Sequence, residues 1–251
     1  MKDGQKRSEL DDLRQAGSLK CLFPRRSAKH LDAVLVNTAG GVTGGDAFKF
    51  AAEIASDCTI TTQAAERAYG AAGTDPGRIT NQISVRGRAR LNWLPQETIL
   101  FDGCSLTRRM QIDLEDRAEL LFCEPIIFGR TAMKETVCAG AFSDRVDIRR
   151  DGVPIYLDSV RLEGDIQAHL NRPFVADGAR AMASLVYVAN DVETQLSTIR
   201  DLLPETAGAS LLLPDVLVLR LLAHDGFALR KSLIPVLNQL YQPDLPRCWM
   251  L

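Results

Sequence analysis

Between about residues 31 and 165 the apolar positions recur every second residue. Phe48, Phe50, Ala52 and Ile54 alternate with Ala47, Lys49, Ala51 and Glu53. Ile79, Ile83 and Val85 alternate with Arg78, Thr80, Gln82, Ser84 and Arg86, and Leu106, Met110, Ile112 and Leu114 alternate with Thr107, Arg109, Gln111 and Asp113. A period of two predicts half-buried strands, each with one wet face. Turn residues separate the runs at Arg86-Gly87, Glu115-Asp116 and Arg150-Asp151-Gly152, where Asp-Gly suits a tight type I′ hairpin. Strands that recur about every ten residues, with no helical pattern between them, predict a mainly β fold of stacked, mostly antiparallel sheets.

The pattern changes near Asp177. Asn190 and Glu193 have capping-box spacing, and Val192, Leu196, Ile199 and Leu203 follow at helical spacing, so a helix is expected to end before Pro204. Ser210 to Ala223 reads as two short buried strands broken at Pro214-Asp215. A second helix is expected from an Asp225 cap, turning Phe227, Leu233, Leu237 and Leu240 inward, with Pro235 kinking it or opening its regular part. The tail from Pro243 to Leu251 is expected to be extended and to pack Trp249 onto the body. Together these features predict one domain over residues 1–251: a β-rich body at about 20–175 and a smaller α+β part at about 176–251. The chain has no internal repeat and no low-complexity segment.

Composition narrows the function classes. Hydrophobic residues make up 46% and charged residues 25% of the 251, an ordinary globular balance. Thirty Lys and Arg against 32 Asp and Glu leave a formal charge of −2. That lacks the basic footprint of a nucleic-acid binder and the polybasic stretch that holds a protein on an anionic membrane. Arg outnumbers Lys 23 to 7; Arg suits bidentate pairing, although genome composition explains the bias as well. Six Cys, at 21, 58, 104, 123, 138 and 248, form no close-spaced framework and fit a reducing compartment. The first residues, MKDGQKRSELDDL, carry charge but no apolar core, and Ala207 to Ala223 is too short and interrupted to span a bilayer. A cytoplasmic, soluble protein is expected.

The most unusual segment is Asn37-Thr38-Ala39-Gly40-Gly41-Val42-Thr43-Gly44-Gly45-Asp46. Its paired glycines permit positive φ and close backbone approach, which suits a structural turn or a backbone surface offered to a partner. It matches neither dinucleotide nor P-loop spacing, and no helix pattern follows it. Acids occupy strand-like positions at Glu66, Glu97, Asp102 and Glu124. Glu124 continues the inward register of Ala118, Leu120 and Phe122, so it needs a cation, and Arg130 is the obvious mate. The functional alternative is a carboxylate lining an internal polar passage. Glu97 and Asp102 also admit a glycosidase-like pair, and hence a carboxylate-pair hydrolase on a β scaffold. His30, His169 and His224 are far apart, no Cys pair has zinc spacing, and no G-x-S-x-G is present.

LVNTAGGVTGGD, TITTQAAERAYG, LNWLPQETILFDG and FGRTAMKE, in that order, resemble the urease accessory proteins of the UreD family, also called UreH. The similarity runs from Phe23-Pro24-Arg25 to Pro246-Arg247-x-Trp249. The resemblance implies a non-catalytic scaffold that binds apo-urease and an all-helical partner, UreF, and through it the GTPase UreG. It also implies nickel delivery into urease along an internal passage, and a helically wound stack of sheets with two α-helices towards the C-terminus. By motif, Gly40, Gly41, Gly44, Gly45, Asp46 and Arg130 carry over as partner-binding positions. Ala47, Gly70 and Lys134 depart from the usual pattern. No tightly bound cofactor is expected. Nickel would be held only in transit, because nitrogen and sulfur sites grip Ni²⁺ while carboxylates, carbonyls and water exchange it. Glu66, Glu97, Asp102 and Glu124 are the expected oxygen donors of that route.

Overall fold

The computed structural model describes residues 10–24, 30–70, 73, 75–130, 133, 135–241 and 244–250. After β1 (Leu19–Leu22) the chain shuttles between two sheets. The first sheet takes β2 (Leu31–Asn37), β4 (Cys58–Thr62), β7 (Arg90–Leu94) and β10 (Glu119–Phe128). The second takes the strands between them: β3 (Ala47–Ile54), β6 (Gly77–Val85), β9 (Ser105–Leu114) and β11 (Gly140–Arg150). Short β5 (Glu66–Ala68) and β8 (Thr98–Leu100) pair with each other, and β8 pairs with β10. The layers stack as wound coils of sheet.

This winding corrects the expected strand direction. Every neighbour pair along β2–β4–β7–β10 and along β3–β6–β9–β11 is parallel. Each strand of one sheet is the crossover for the other, so the chain returns in the same sense. Among the described strands, antiparallel pairing is confined to β1–β2 and the final strands, where β12 (Val153–Gly164) folds back on β11; a lone antiparallel bridge joins Gly70 and Cys104. β13 (Ala181–Val188), β15 (Val216–Ala223) and β14 (Ala207–Leu213) then extend the first sheet beyond β10, also antiparallel. Alternation reports a wet face, not the direction of a neighbour.

Two apolar layers follow. Between the sheets lie residues such as Ile83, Leu91, Ile112, Leu120, Phe122 and Ile148. The other face of the first sheet is covered by α2 (Val192–Leu202) and α3 (Gly226–Leu240), which bury Ile199, Leu229, Leu233 and Leu237 against Leu121, Leu185 and Leu219. Burial on both faces accounts for the nearly unbroken apolar run of β10.

The expected helices form as α2 and α3; a short α1 (Ile166–Leu170), which periodicity did not indicate, precedes them between β12 and β13. Asp225 caps α3, its Oδ1 accepting from Ala228 N at 2.8 Å, and α3 runs through Pro235. Several local expectations are corrected. The N-cap of α2 is Asp191, not Asn190; the Asp191 carboxylate takes the Tyr187 hydroxyl and Gln195 Nε2 instead. Phe227 is 79% exposed, on the side of the first turn of α3 away from the sheet, which Gly226 meets at Ile127. β14 is largely exposed as the edge strand. Trp249 is buried, as expected, but in a 3-10 turn (Arg247–Trp249), with its Nε1 donating to Leu94 O at 2.9 Å. Lys134 lies outside the described residues. Among those residues no helix is long and apolar enough to cross a membrane, and all six cysteines are free thiols.

Candidate functional site

The glycine-rich segment is the crossover from β2 to β3. Gly40 and Gly45 take φ of +81° and +84°, the left-handed region open to glycine. At Gly41 a Cβ would sit 2.3 Å from Tyr69 Cε2 and 2.7 Å from Arg67 O. That closeness lets Val42 N donate to Arg67 O at 2.7 Å while Tyr69 N donates back to Val42 O at 2.8 Å. Asp46 closes the turn, accepting from Thr43 N at 2.9 Å. Gly44 lies in the same turn. The segment therefore clamps β5 and with it Glu66. Asn37 Nδ2 donates to Gly41 O at 2.8 Å and to Glu66 Oε1 at 3.1 Å, tying loop to acid. Burial raises the Glu66 pKa, outweighing the opposing hydrogen bonds from Asn37 and the Arg67 amide.

Deeper between the sheets lies an ionic cluster. Arg108 on β9 reaches Glu124 Oε2 of β10 at 2.9 Å and Asp144 Oδ2 of β11 at 2.5 Å, and its Nη1 donates to Thr98 Oγ1 at 2.8 Å. Trp93 Nε1 donates to the other Glu124 oxygen at 2.9 Å. Arg108 thus bridges the two sheets. Burial works against its charge, but the flanking carboxylates of Asp144 and Glu124 prevail and raise its pKa. Glu124 is pushed up first by desolvation and further by Asp144, against the pull of Arg108 and Trp93.

A cavity of about 250 Å³ joins the two centres, bordered by Asn37, Glu66, Asn81, Thr98, Arg108 and Glu124. A separate void of about 10 Å³ on the far side of Glu124 is bordered by Asp144, Asp158 and Ser184. Glu124 borders both. The polar donors are carboxylate, amide and hydroxyl groups, and among the described residues no group of three or more His, Cys, Asp or Glu is placed to hold a metal ion.

The remaining sequence candidates are elsewhere. Glu97 is buried against α3, where Arg230 Nε donates to Oε1 at 2.5 Å and Nη2 to Oε2 at 3.0 Å; Arg230 also binds Gln96. Asp102 is exposed and accepts from the amides of Cys138 and Ala139 at 2.8 and 2.9 Å. These two acids serve different partners, so they do not form a working pair. Arg130 is not the mate of Glu124. It pairs with Glu135 at 2.8 Å and lies over the Phe101 ring at 4.5 Å, because Gly129 turns the chain out of the sheet at φ +77°. Arg108 and Asp144 were missed, although both interrupt an inward apolar register, in Leu106-x-Arg108-x-Met110 and Phe142-x-Asp144-x-Val146. They are direct partners in the parallel β9–β11 ladder.

The family model described as UreD urease accessory protein matches residues 1–250. The urease accessory protein UreD of Ruegeria pomeroyi is 53% identical over 244 residues, spanning 96% of this chain and 95% of that protein. The UreD of Roseobacter denitrificans is 52% identical over 246 residues, 97% and 90% of the two chains. That of Sinorhizobium medicae is 43% identical over 258 residues, 100% and 93%.

Proposed function

We propose a function from one premise: this chain belongs to the UreD urease accessory protein family. It serves the maturation of urease. In our reading it does so as a scaffold without catalysis of its own, holding apo-urease on one side and the UreF-type partner, with its UreG GTPase, on the other. Nickel is the cargo, passed through the space between the two sheets.

One observation supports the passage most directly: Glu66 and Glu124, far apart in sequence, border the same cavity. Oxygen donors bind Ni²⁺ more weakly than imidazole or thiolate, so an ion held there can leave. Two features shorten its stay further. The raised pKa of Glu66 makes protons compete with the metal, and the Arg108 guanidinium repels a cation at the inner end. Glu97 and Asp102, tied to Arg230 and to the 138–139 backbone, act in architecture in this reading.

The test is to make Glu66→Gln and Glu124→Gln singly. Each is co-expressed with the urease subunits and partners, and urease activation is measured apart from complex assembly. Lower activation with assembly intact is the expected result. Unchanged activation, or assembly lost in step with activity, would overturn the passage. The purified chain should turn over no substrate on its own.

A further inference from the structure

The outer face of the second sheet carries a charge pattern unrelated to the cavity. Its strands lie in the order β12–β11–β9–β6–β3, and outward positions align in rows across them. One row reads Lys49, Thr80, Arg109, Arg145, Ser159. The next reads Ala47, Arg78, Thr107, Ser143, Arg161. Four strand spacings of about 4.8 Å make this band roughly 19 Å wide. Lys49, Arg78, Arg109, Arg145 and Arg161 are all exposed.

Arg109 and Arg145 stand directly opposite one another in register. Like charges in that position destabilise a sheet. Asp147, one row away, feels Arg145 through space but is engaged by Arg149, and Asp113 and Glu53 lie two rows away and are engaged as well. Asp147 takes Arg149 at 2.8 Å, Glu53 takes Arg86 at 3.1 Å, and Asp113 accepts from Gln111 at 2.9 Å. Among the described residues no carboxylate forms an ion pair with Lys49, Arg78, Arg109 or Arg145. A local rule broken on a rigid, solvent-facing surface marks a functional position.

We propose that this face is a docking surface for an acidic protein surface, seated on the band formed by Lys49, Arg78, Arg109, Arg145 and Arg161. Charge complementarity selects the occupant. Glu163 borders the band on one side and Asp147, Asp113 and Glu53 on the other, so a uniform polyanion meets repulsion at its margins. A protein presenting an acidic strip between basic or neutral flanks meets none. Leu157 on β12, on the same face one row from Ser159, is 55% exposed and adds apolar contact at one edge. Arg161 holds Glu163 at 3.4 Å, an exposed pair, whereas the other four cations of the band are solvated; exposed cations of this kind act mainly through encounter rate and orientation.

The choice of probes rests on the maturation reading, so apo-urease and the UreF-type partner of the same host are each tested. Lys49→Glu/Arg109→Glu/Arg145→Glu is compared with the parent and with a charge-matched control, Arg88→Glu/Arg117→Glu/Lys231→Glu. The triple face variant should bind one of the two probes at least tenfold more slowly at low salt, the difference shrinking towards 0.5 M NaCl. The control should bind like the parent. Folding is checked by melting, where Arg109→Gln/Arg145→Gln should lie level with the parent or about 1–2 °C above it. Unchanged binding of both probes by the face variant, or equal loss in the control, overturns the docking surface while leaving the maturation reading intact. A parent that binds neither probe overturns both. A parent that binds a DNA duplex through this band, with protein binding unaffected by the substitutions, overturns the acidic protein as occupant.

Discussion

Replacing Arg108 with Met tests whether the two sheets are held together by charge. The substitution keeps an unbranched chain of similar length and removes the cation that Glu124 and Asp144 share at 2.9 and 2.5 Å. All three side chains are about nine-tenths buried, so solvent cannot replace it. Removing one partner of a buried ionic cluster costs about 3–5 kcal/mol, since the remaining charges stay desolvated. For a chain of this size that lowers Tm by roughly 6–20 °C. The sign of the pH dependence follows from Glu124. Its folded pKa is raised, so its contribution to stability is present below the unfolded value of about 4.3 and is lost as pH climbs through the folded one. Without Arg108 the main influence holding that pKa down is gone, so the loss deepens. The variant should be most destabilised at pH 8 and least at pH 5, measured by thermal and urea unfolding. Arg108→Met/Glu124→Gln/Asp144→Leu should recover most of the stability, because no charge is left stranded and Trp93 Nε1 keeps an acceptor. A single variant melting within about 2 °C of the parent at pH 8, or one harmed more at pH 5, would refute the reasoning.

Other outcomes follow from single contacts. Gly41→Ala should lose about 1–3 kcal/mol in urea unfolding, since its Cβ meets the Tyr69 ring and the Arg67 carbonyl; parent-like stability would show that the loop is not clamped to β5. Arg230→Met strands Glu97 under α3 and should cost about 3 kcal/mol, with amide exchange rising first in α3. Protection unchanged there would sink it. Thiol labelling at pH 8 should modify exposed Cys138 first. Cys58 and Cys104, whose burial pushes their pKa up to about 12 and about 11, should stay silent until the chain unfolds.

Much of the architecture could be read from the chain. The alternation in Phe48–Ile54 and Leu106–Leu114 marks strands and their inward faces, and the Asp225 cap with Leu233, Leu237 and Leu240 marks α3. These are properties of one segment against an apolar layer, so one segment reveals them. The inward register of Ala118, Leu120 and Phe122 likewise placed Glu124 inside. The motifs carried the family resemblance without any geometry.

The partner of Glu124 lay beyond such reading. Arg130 is near in sequence, but Gly129 turns it away; Arg108 is on another strand and arrives through the parallel ladder. The same holds for the cationic band. Its residues are scattered over five strands in a chain of net charge −2, so no run of basic residues announces it. Periodicity is set by a strand's own contact with a core and is local. Strand direction, ionic partners and surface charge rows are set by which distant strands become neighbours, and only the winding of the two sheets decides that.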